Sequence, residues 1–337
     1  MTIVPEGQQI VALDKVIKWD CSTKRFVLRG HAGTGKTSLI PIIQGEYPGA
    51  IVVTMTNKAA LVLRSKGVYG ATTVHKLMYK LEDEKHMIWK KNEFLTDRPE
   101  IIIVDEASMI GEKVRRDLES YGIPVLYVGD NFQLPPVKET GSIMDYADYS
   151  LTEIHRQAKD SPIIRIATAI REGNKYPDID QFSLSDEQIS NHEIVLCHSN
   201  AKRFMLNTRI RNYRGFEGSP KLGERVVMAK TDYDIGIFAG ECGTITEVNK
   251  WLYRVLFDGQ SEAVGMGYCK FLEPGDNPYA DEFKGKRCLD FGYCVTVHKA
   301  QGSQFDSVLY WDERTADARH RYTGATRAIN TLTMAGY

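Results

Sequence analysis

Short apolar runs rich in β-branched residues alternate with amphipathic stretches along the first part of the chain. The strand-like runs are RFVLRG (25–30), IVVTM (51–55), IIIVDEA (101–107) and VLYVGD (125–130). Helical patterns occupy residues 36–45, where Pro41 predicts a short or kinked helix, and residues 57–67. Strands that alternate with helices predict an α/β fold with a mostly parallel sheet covered on both faces.

The same alternation resumes after residue 150 and is interrupted once. Strand and helix patterns follow one another from LTEIHRQ to AKRFMLNTRIRN, and they return after residue 292 with YCVTVHKAQG, SVLYW and TLTMAG. Between them, glycine-punctuated β patterns predict a small barrel of short antiparallel strands. We therefore predict a first domain over residues 1–145 and a second over 146–217 and 288–337, with a β module inserted at 218–287. A charged excursion at 75–98 is a hairpin, a helical excursion or a solvated loop.

Bulk composition limits the class of protein without defining it. A length of 337 residues suggests two domains, and 42% hydrophobic with 26% charged residues is ordinary for a folded protein. The formal net charge of −1 gives no overall positive field for nucleic acid, although acidic faces can balance a basic groove. Six scattered cysteines form no Cys-x-x-Cys pair, and there is neither a basic leader nor a long apolar run. We expect a cytoplasmic protein with reduced thiols and no metal–cysteine site.

The segment GHAGTGKT (30–37) has the spacing of a phosphate-binding loop. Gly33 and Gly35 let the backbone curl so that its N–H groups face the phosphates. Lys36 is placed to reach the β and γ phosphates, and the Thr37 hydroxyl is placed to hold Mg²⁺. The predicted strand before the loop and the helix after it favour this function over an ordinary glycine-rich turn.

Acidic and amide side chains follow the next two buried strands. In VDEASM, Asp105 is a second candidate magnesium ligand and Glu106 is placed to polarise an attacking water. In GDNFQLPPV, Gln133 is a candidate sensor of the γ phosphate. Two adjacent acids downstream of a phosphate loop indicate hydrolysis rather than phosphoryl transfer to a small molecule.

Nine segments resemble, in order, the motifs of superfamily 1 DNA helicases, specifically the RecD-like and Dda-like branch (superfamily 1B). They are EGQ (6–8), GHAGTGKT (30–37), VTMTNKAA (53–60), TTVHKLM (72–78), IIIVDEASM (101–109), GDNFQLPPV (129–137), LTEIHRQ (151–157), VTVHKAQGSQFDSV (295–308) and YTGATRA (322–328). The resemblance covers nearly the whole chain. It implies two RecA-like domains with ATP and Mg²⁺ between them, an SH3-like inserted module and a pin-like excursion that separates strands.

The resemblance also assigns roles to individual residues. Arg156, which follows a predicted strand, and Arg327, which lies in a predicted terminal helix, would stabilise the charge that develops on the γ phosphate. The residues implied to contact the nucleotide are Gln8, Gly33, Thr34, Gly35, Lys36, Thr37 and Gln304. The residues implied to face DNA are Thr56, His75, Asn200, Thr296 and His298, with Asn207 and Arg211 as further contacts. The aromatic residues Trp89 and Phe94 are candidates for stacking on bases or for splitting the duplex, and either could instead form the small core of the excursion.

Two positions depart from the family pattern. Gln304 stands where Glu is common, so it keeps hydrogen bonding but lacks the charge. Gly324 replaces a larger residue, and we expect it to loosen the start of the last helix by about 1 kcal/mol relative to Ala.

The predicted function is an ATP-dependent DNA helicase that moves 5′→3′ along single-stranded DNA and acts on forked or tailed duplexes. The compact length resembles phage replication helicases, and we expect a monomer. Three alternatives remain open: an RNA helicase, a translocase that strips proteins without unwinding, and a nucleotide-regulated binding module without turnover. A small-molecule kinase would leave the threonine–histidine segments and both arginines unexplained.

Overall fold

The computed structural model describes residues 4–19, 23–83, 88–96, 98–136, 142–155, 160–174, 184–232, 234–250, 252–267 and 269–336. The chain divides into two compact units, Met1–Arg165 and Ile166–Tyr337. Each unit contains its own parallel sheet. Within the described ranges, no helix is long and apolar enough to cross a membrane.

The first unit is built on a parallel sheet. Its described helices are α1 (Gln8–Ile17), α2 (Lys36–Glu46), α3 (Asn57–Ser65), α4 (Val74–Met78) and α5 (Glu112–Glu119). Its described strands are β1 (Arg25–Gly30), β2 (Ile51–Thr54), β3 (Thr72–Thr73), β4 (Tyr79–Asp83), β5 (Ile88–Lys91), β6 (Ile102–Val104), β7 (Val125–Gly129) and β8 (Tyr149–Leu151). The sheet order is β3-β2-β6-β7-β1-β8, and every pair is parallel.

Apolar side chains cover both faces of this sheet, which explains the continuous apolar runs in the sequence. Successive residues of β1 point to opposite sides: Val27 packs with Ile102 in one core, and Leu28 packs with Ile40 in the other. Helix α2 continues through Pro41 to Glu46, so the proline does not shorten it. The predicted parallel sheet is confirmed.

Two details of the first unit differ from the prediction or narrow it. Strand β8 pairs with β1, so the segment after residue 145 belongs to the first sheet and the unit extends to Arg165. The excursion contains an antiparallel hairpin of β4 and β5, in which Leu81 is opposite Trp89. The sequence alone allows a hairpin, a helical excursion or a solvated loop here.

The second unit combines a parallel sheet with a second, mixed sheet. Its helices in the described ranges are α6 (Pro162–Glu172, which crosses the unit boundary), α7 (Asp186–Ser190), α8 (Asn200–Tyr213), α9 (Val297–Ala300) and α10 (Ala318–Ala325). Its strands there are β9 (Ile194–Cys197), β10 (Arg225–Met228), β11 (Cys242–Val248), β12 (Tyr253–Phe257), β13 (Val264–Gly265), β14 (Lys270–Phe271), β15 (Cys288–Phe291), β16 (Cys294–Thr296), β17 (Phe305–Asp312) and β18 (Ala328–Gly336). The parallel sheet has the order β16-β9-β17-β18.

The predicted inserted module is a separate sheet with the order β13-β12-β11-β10-β15-β14. All of its pairs are antiparallel except β14 with β15. The side chains of Val226, Ile245, Val255 and Phe257 form its core. Its last strand in the chain, β15, extends to Phe291, beyond the predicted boundary at 287.

Candidate nucleotide and nucleic-acid sites

The phosphate loop connects the end of β1 to the start of α2. Gly33 and Gly35 have φ values of 82° and 72°, in the left-handed region that favours glycine. A Cβ on Gly35 would lie 2.2 Å from Nε2 of Gln9, so a larger residue would displace this amide. The loop therefore presents backbone N–H groups at a helix N-terminus, where an anion binds favourably.

Lys36 and Thr37 begin α2 and point to different partners. Lys36 Nζ donates to the carbonyl oxygen of His31 at 3.1 Å, within its own loop. The Thr37 hydroxyl lies 3.5 Å from Oδ2 of Asp105, which follows β6. The structure thus brings together the two residues that the sequence proposed as magnesium ligands.

Asp105 is only 5% exposed. Burial, followed by the neighbouring charge of Glu106, raises the pKa of Asp105 to about 7. A bound cation would offset this unfavourable negative charge. Hydroxyl and carboxylate oxygens are ligands that Mg²⁺ accepts alongside water and phosphate oxygens, so the residues present fit the ion.

Glu106 has a strained backbone. Its φ of 53° is left-handed, and among the described residues it is the one non-glycine with a positive φ. It precedes a short 3₁₀ turn, Ala107–Met109. Such strain costs of order 1–3 kcal/mol and is characteristic of functional positions.

The loop after β7 contacts the phosphate loop. Asp130 is fully buried, and its Oδ1 accepts from Phe132 N at 2.9 Å and lies 3.3 Å from Nδ1 of His31. Gln133 is buried in the same loop. The carboxyl ends of β1, β6 and β7 therefore place the phosphate loop, both acids and Gln133 at one edge of the sheet.

Two glutamines at the start of α1 make different contacts. Gln8 exchanges hydrogen bonds with Thr152 and accepts from Glu153 N at 3.1 Å. Gln9 is buried, and its Nε2 lies 3.4 Å from the carbonyl oxygens of both Thr34 and Gly35. Sequence reasoning missed Gln9, although it sits one position beyond the matched segment.

The two predicted arginines have different outcomes. Arg156 lies outside the described residues, but His155 N donates to Gly33 O at 3.2 Å, so the chain just before Arg156 contacts the phosphate loop. Arg327 is 2% exposed and lies after the end of α10, rather than within a helix as predicted. Its guanidinium donates to the carbonyl oxygens of Thr323 and Ser303. Gln304 is exposed beside this segment.

The candidate DNA residues of the first unit lie at the ends of β2 and β3. Thr56 caps α3 by accepting from Ala59 N at 3.2 Å. His75 lies in α4, where its ring stacks on Tyr79 and burial lowers its pKa. Because Thr54 and Thr73 are paired in register, these two helix starts are neighbours.

The hairpin contains one of the two aromatic candidates and is followed by the other. Phe94 comes just after β5 and is 82% exposed. Trp89 lies in β5, and its side chain is outside the described part of the structure. An exposed aromatic ring beside a hairpin is suited to stacking on a base.

The candidate DNA residues of the second unit lie at the carboxyl edge of its parallel sheet. Thr296 precedes α9, and His298 lies within it. Asn200 is exposed at the first residue of α8. The register pairs Thr296 with Cys197, so both helices start at the same edge.

Asn207 and Arg211 stabilise the fold instead of facing DNA, contrary to the prediction. Asn207 is buried and exchanges two hydrogen bonds with the backbone of Cys294. Arg211 pairs with buried Glu224 at 2.7 Å and lies over the ring of Phe291. Both side chains lie on the face of α8 that packs into the interior of the unit.

Gly324 also differs from its prediction. It lies near the end of α10, not at its start, and a Cβ there would lie 2.3 Å from the ring of Tyr310. The small residue therefore permits close packing of α10 on β17.

Comparisons with known proteins match both the first and the last part of the chain. The model of a family described as "AAA domain" matches residues 6–191, and that of a "UvrD-like helicase C-terminal domain" matches residues 291–334. The chain is 29% identical to the ATP-dependent RecD2 DNA helicase of Deinococcus radiodurans, over 84% of this chain and 42% of that protein. It is 25% identical to the ATP-dependent DNA helicase PIF1 of Xenopus laevis, over 96% of this chain and 60% of that protein. The chain thus spans about half the length of these relatives.

Solved structures show the same fold. A Bacteroides Pif1 helicase in complex with ADP-AlF3 and single-stranded DNA matches with a TM-score of 0.64 at 19% identity, over 99% of this chain and 92% of that one. A Pif1 helicase from Candida albicans matches with a TM-score of 0.60 at 18% identity, over 99% and 95%. The two parallel sheets, with this likeness, establish two RecA-like units.

Proposed function

Because the chain belongs to the AAA-domain family and, with its UvrD-like C-terminal segment, to the superfamily 1B helicases, we propose that it is an ATP-dependent DNA helicase. On this proposal it moves 5′→3′ along single-stranded DNA and unwinds forked or tailed duplexes. The observation that carries the proposal is the convergence of Lys36, Thr37, Asp105 and Glu106 at one sheet edge.

The phosphates of ATP would bind to the loop backbone and to Lys36. Lys36 Nζ must then leave the carbonyl of His31, which its flexible side chain permits. Thr37 and Asp105 would hold Mg²⁺, which supplies positive charge next to the transferred phosphate. Glu106 directly follows Asp105 and has a strained, left-handed backbone, and we assign to it the activation of water.

Arg156 and Arg327 would stabilise the negative charge that develops on the γ phosphate. Alternating contacts of the two units with the DNA backbone would then convert hydrolysis into movement along the strand. Thr56 and His75 would provide contacts from the first unit, and Thr296 and His298 from the second.

The central test is Glu106→Gln. We expect DNA-stimulated ATP hydrolysis to fall by about 10²–10⁴-fold while nucleotide binding persists, because the amide cannot accept a proton from water. Glu112→Gln is the matched control, since Glu112 is exposed on α5 and bridges to Arg116 on the same helix. Hydrolysis that survives Glu106→Gln would refute the assignment of the catalytic base.

Tailed duplexes test polarity and substrate. We expect unwinding from 5′ overhangs, and unwinding only from 3′ overhangs would refute the branch-specific direction. Equal or greater stimulation of ATP hydrolysis by RNA of matched length would favour the RNA helicase alternative.

Substitution of Phe94, whose ring is exposed, tests whether the protein is a helicase or a translocase that does not unwind DNA. If the ring splits the duplex, Phe94→Ala should lower unwinding several-fold while DNA-stimulated hydrolysis is retained. Tyr69→Ala is a suitable control, since Tyr69 is 88% exposed in the same unit. Unchanged unwinding by Phe94→Ala would leave Trp89 as the remaining aromatic candidate.

A further inference from the structure

Three histidines that are distant in sequence meet at the carboxyl edge of the second parallel sheet. His198 follows β9, His298 lies in α9 after β16, and His320 lies in the first turn of α10. The rings of His198 and His320 stack with centroids 4.3 Å apart, and the rings of His298 and His320 meet edge to face with centroids 4.8 Å apart. We refer to these three side chains as the histidine cluster.

His320 lies between the other two rings. It is 8% exposed, and its Nε2 has no hydrogen-bond partner among the residues that the structure describes. Its Nδ1 lies 3.4 Å from Oδ1 of Asp317. The Nδ1 of His198 lies 3.4 Å from the Thr315 hydroxyl. The rings of His198 and His320 are thus each held on one side, and Nε2 of His320 remains without a partner among the described residues.

The charged groups around the cluster come from each neighbouring element. Between β17 and α10, Glu313 accepts from His198 N and from both the N–H and the hydroxyl of Ser199, so its carboxylate is already engaged. Asp317 caps α10 by accepting from His320 N. Lys299, next to His298 in α9, has its pKa lowered to about 8 by burial and then by Arg203 of α8.

These surroundings favour the uncharged forms of His298 and His320. Burial and the two other histidines lower the pKa of His298 to about 4. Burial and His198 also lower the pKa of His320, although Asp317 opposes the change. Imidazolium charges at these ring separations would repel one another strongly unless an anion compensated them.

We propose that the histidine cluster is a conditional binding site for a backbone phosphate of nucleic acid, which takes up a proton from solvent as the phosphate binds. The proposal rests on the proposed function, because the resemblance assigns His298 to the DNA-facing motif. His198 and His298 are partly exposed and would meet the phosphate, whereas His320 would position His298.

A histidine site differs from a lysine site in one respect that matters for a moving protein. Lysine keeps its charge whether or not DNA is present, but His298 and His320 would become charged only when the site is occupied. The sign follows from linkage: the bound anion raises the imidazole pKa, so affinity should rise as pH falls from about 8 to about 6. Repulsion between the rings limits the uptake to about one proton.

The test is calorimetric binding of oligothymidylate to the full chain near pH 7, in two buffers with different ionisation enthalpies. The difference in apparent enthalpy gives the number of protons taken up. We expect a net uptake of up to about one proton in the wild type, and a value near zero in His320→Gln and in His198→Asn. His198→Asn is the second variant because its ring is partly exposed and its loss perturbs packing less.

His192→Gln is the matched control: His192 is in the same unit and hydrogen-bonds to Gln188 and Thr333, not to the cluster. It should retain the uptake. Titration with ADP alone distinguishes nucleotide phosphate from nucleic-acid phosphate, and uptake with ADP that depends on His320 would overturn the assignment to nucleic acid. Binding of oligothymidylate without cluster-dependent uptake would overturn this inference alone. Absence of any oligothymidylate binding would overturn the proposed function as well.

Discussion

At the scale of single residues, backbone conformation and burial determine what each polar side chain can do. The sequence shows Asp105 and Glu106 as two adjacent acids after an apolar strand. It does not show that the backbone of Glu106 is left-handed. Asn207 and Arg211 were readable as polar positions on a helix, yet only packing shows that they face inward. Burial depends on contacts between distant segments, which residue type alone does not encode.

The strain at Glu106 predicts an unusual response to glycine. In an ordinary helical position, glycine is less stable than alanine by about 1 kcal/mol, as expected for Lys113→Gly against Lys113→Ala on the exposed side of α5. At position 106, relief of the left-handed strain should offset this cost. We expect Glu106→Gly to be at least as stable as Glu106→Ala in urea denaturation. If Glu106→Gly were less stable than Glu106→Ala by as much as Lys113→Gly is less stable than Lys113→Ala, the backbone of Glu106 would not be strained.

The histidine cluster predicts a pH-dependent stability. The pKa of His298 is lowered to about 4 in the folded protein, against about 6.5 unfolded, so its contribution is complete above pH 6.5 and is lost as pH falls toward 4. The raised pKa of Asp105 makes stability change with pH in the opposite direction between about pH 4 and pH 7. Because Asp105 is present in wild type and variant alike, its effect cancels when the two are compared.

We therefore expect the melting temperature of wild type to fall more steeply than that of His320→Gln between about pH 7 and pH 5. Thermal denaturation followed by circular dichroism measures both slopes. Parallel curves would show that the rings do not repel one another in the folded state.

At the scale of elements, the hydrophobic pattern predicted most strands of both sheets, because strands buried on two faces give continuous apolar runs. The residues at element ends were less predictable. Arg327 was assigned to a helix that ends at Ala325, and helix α2 runs through Pro41. Pro41 is the sixth residue of this helix, where its missing N–H removes one backbone hydrogen bond, and the burial of Leu39, Ile40 and Ile43 offsets that cost.

The packing of α10 on β17 predicts the effect of enlarging Gly324. A Cβ would meet the buried ring of Tyr310, so Gly324→Ala should destabilise the protein by about 1–3 kcal/mol. Gly45→Ala in α2 is the control: it has open space around it and should stabilise by up to about 1 kcal/mol. Chemical denaturation of both variants measures the sign of each change in the free energy of unfolding. A stabilising Gly324→Ala would restore the original expectation of a loosened helix.

At the scale of the whole molecule, the order of motifs predicted two RecA-like units, and the glycine-punctuated β patterns predicted a small antiparallel barrel where the structure has a second, mixed sheet. The boundaries were less accurate, because β8 and β15 join sheets that the sequence texture assigned elsewhere. Strand pairing is set by partners far along the chain, such as β1 for β8, and no local pattern specifies it. The position of Gln9 against the phosphate loop has the same origin.

The separate cores of the two units predict that residues 1–160 fold alone. The apolar clusters on both faces of the first sheet contain residues of the first unit only. We expect this fragment to unfold cooperatively and to bind ADP, because the phosphate loop and Asp105 are both present. Its hydrolysis should not be stimulated by DNA, since Arg327 and half of the DNA contacts are missing. Circular dichroism and a fluorescent-nucleotide titration would check this, and a fragment that hydrolyses ATP like the full chain would exclude a role for Arg327.

The inserted sheet has a consequence for the order of folding. Its first and last strands are paired, with Val226 opposite Phe291 and Gly292 N donating to Arg225 O at 2.9 Å. Before this sheet forms, docking β16 on β9 must close a long flexible loop, which costs chain entropy. Once the sheet has formed, the effective loop is only the short connection through α8. Although the inserted module separates β9 from β16 in the sequence, its earlier folding would therefore help β16 to join the parallel sheet.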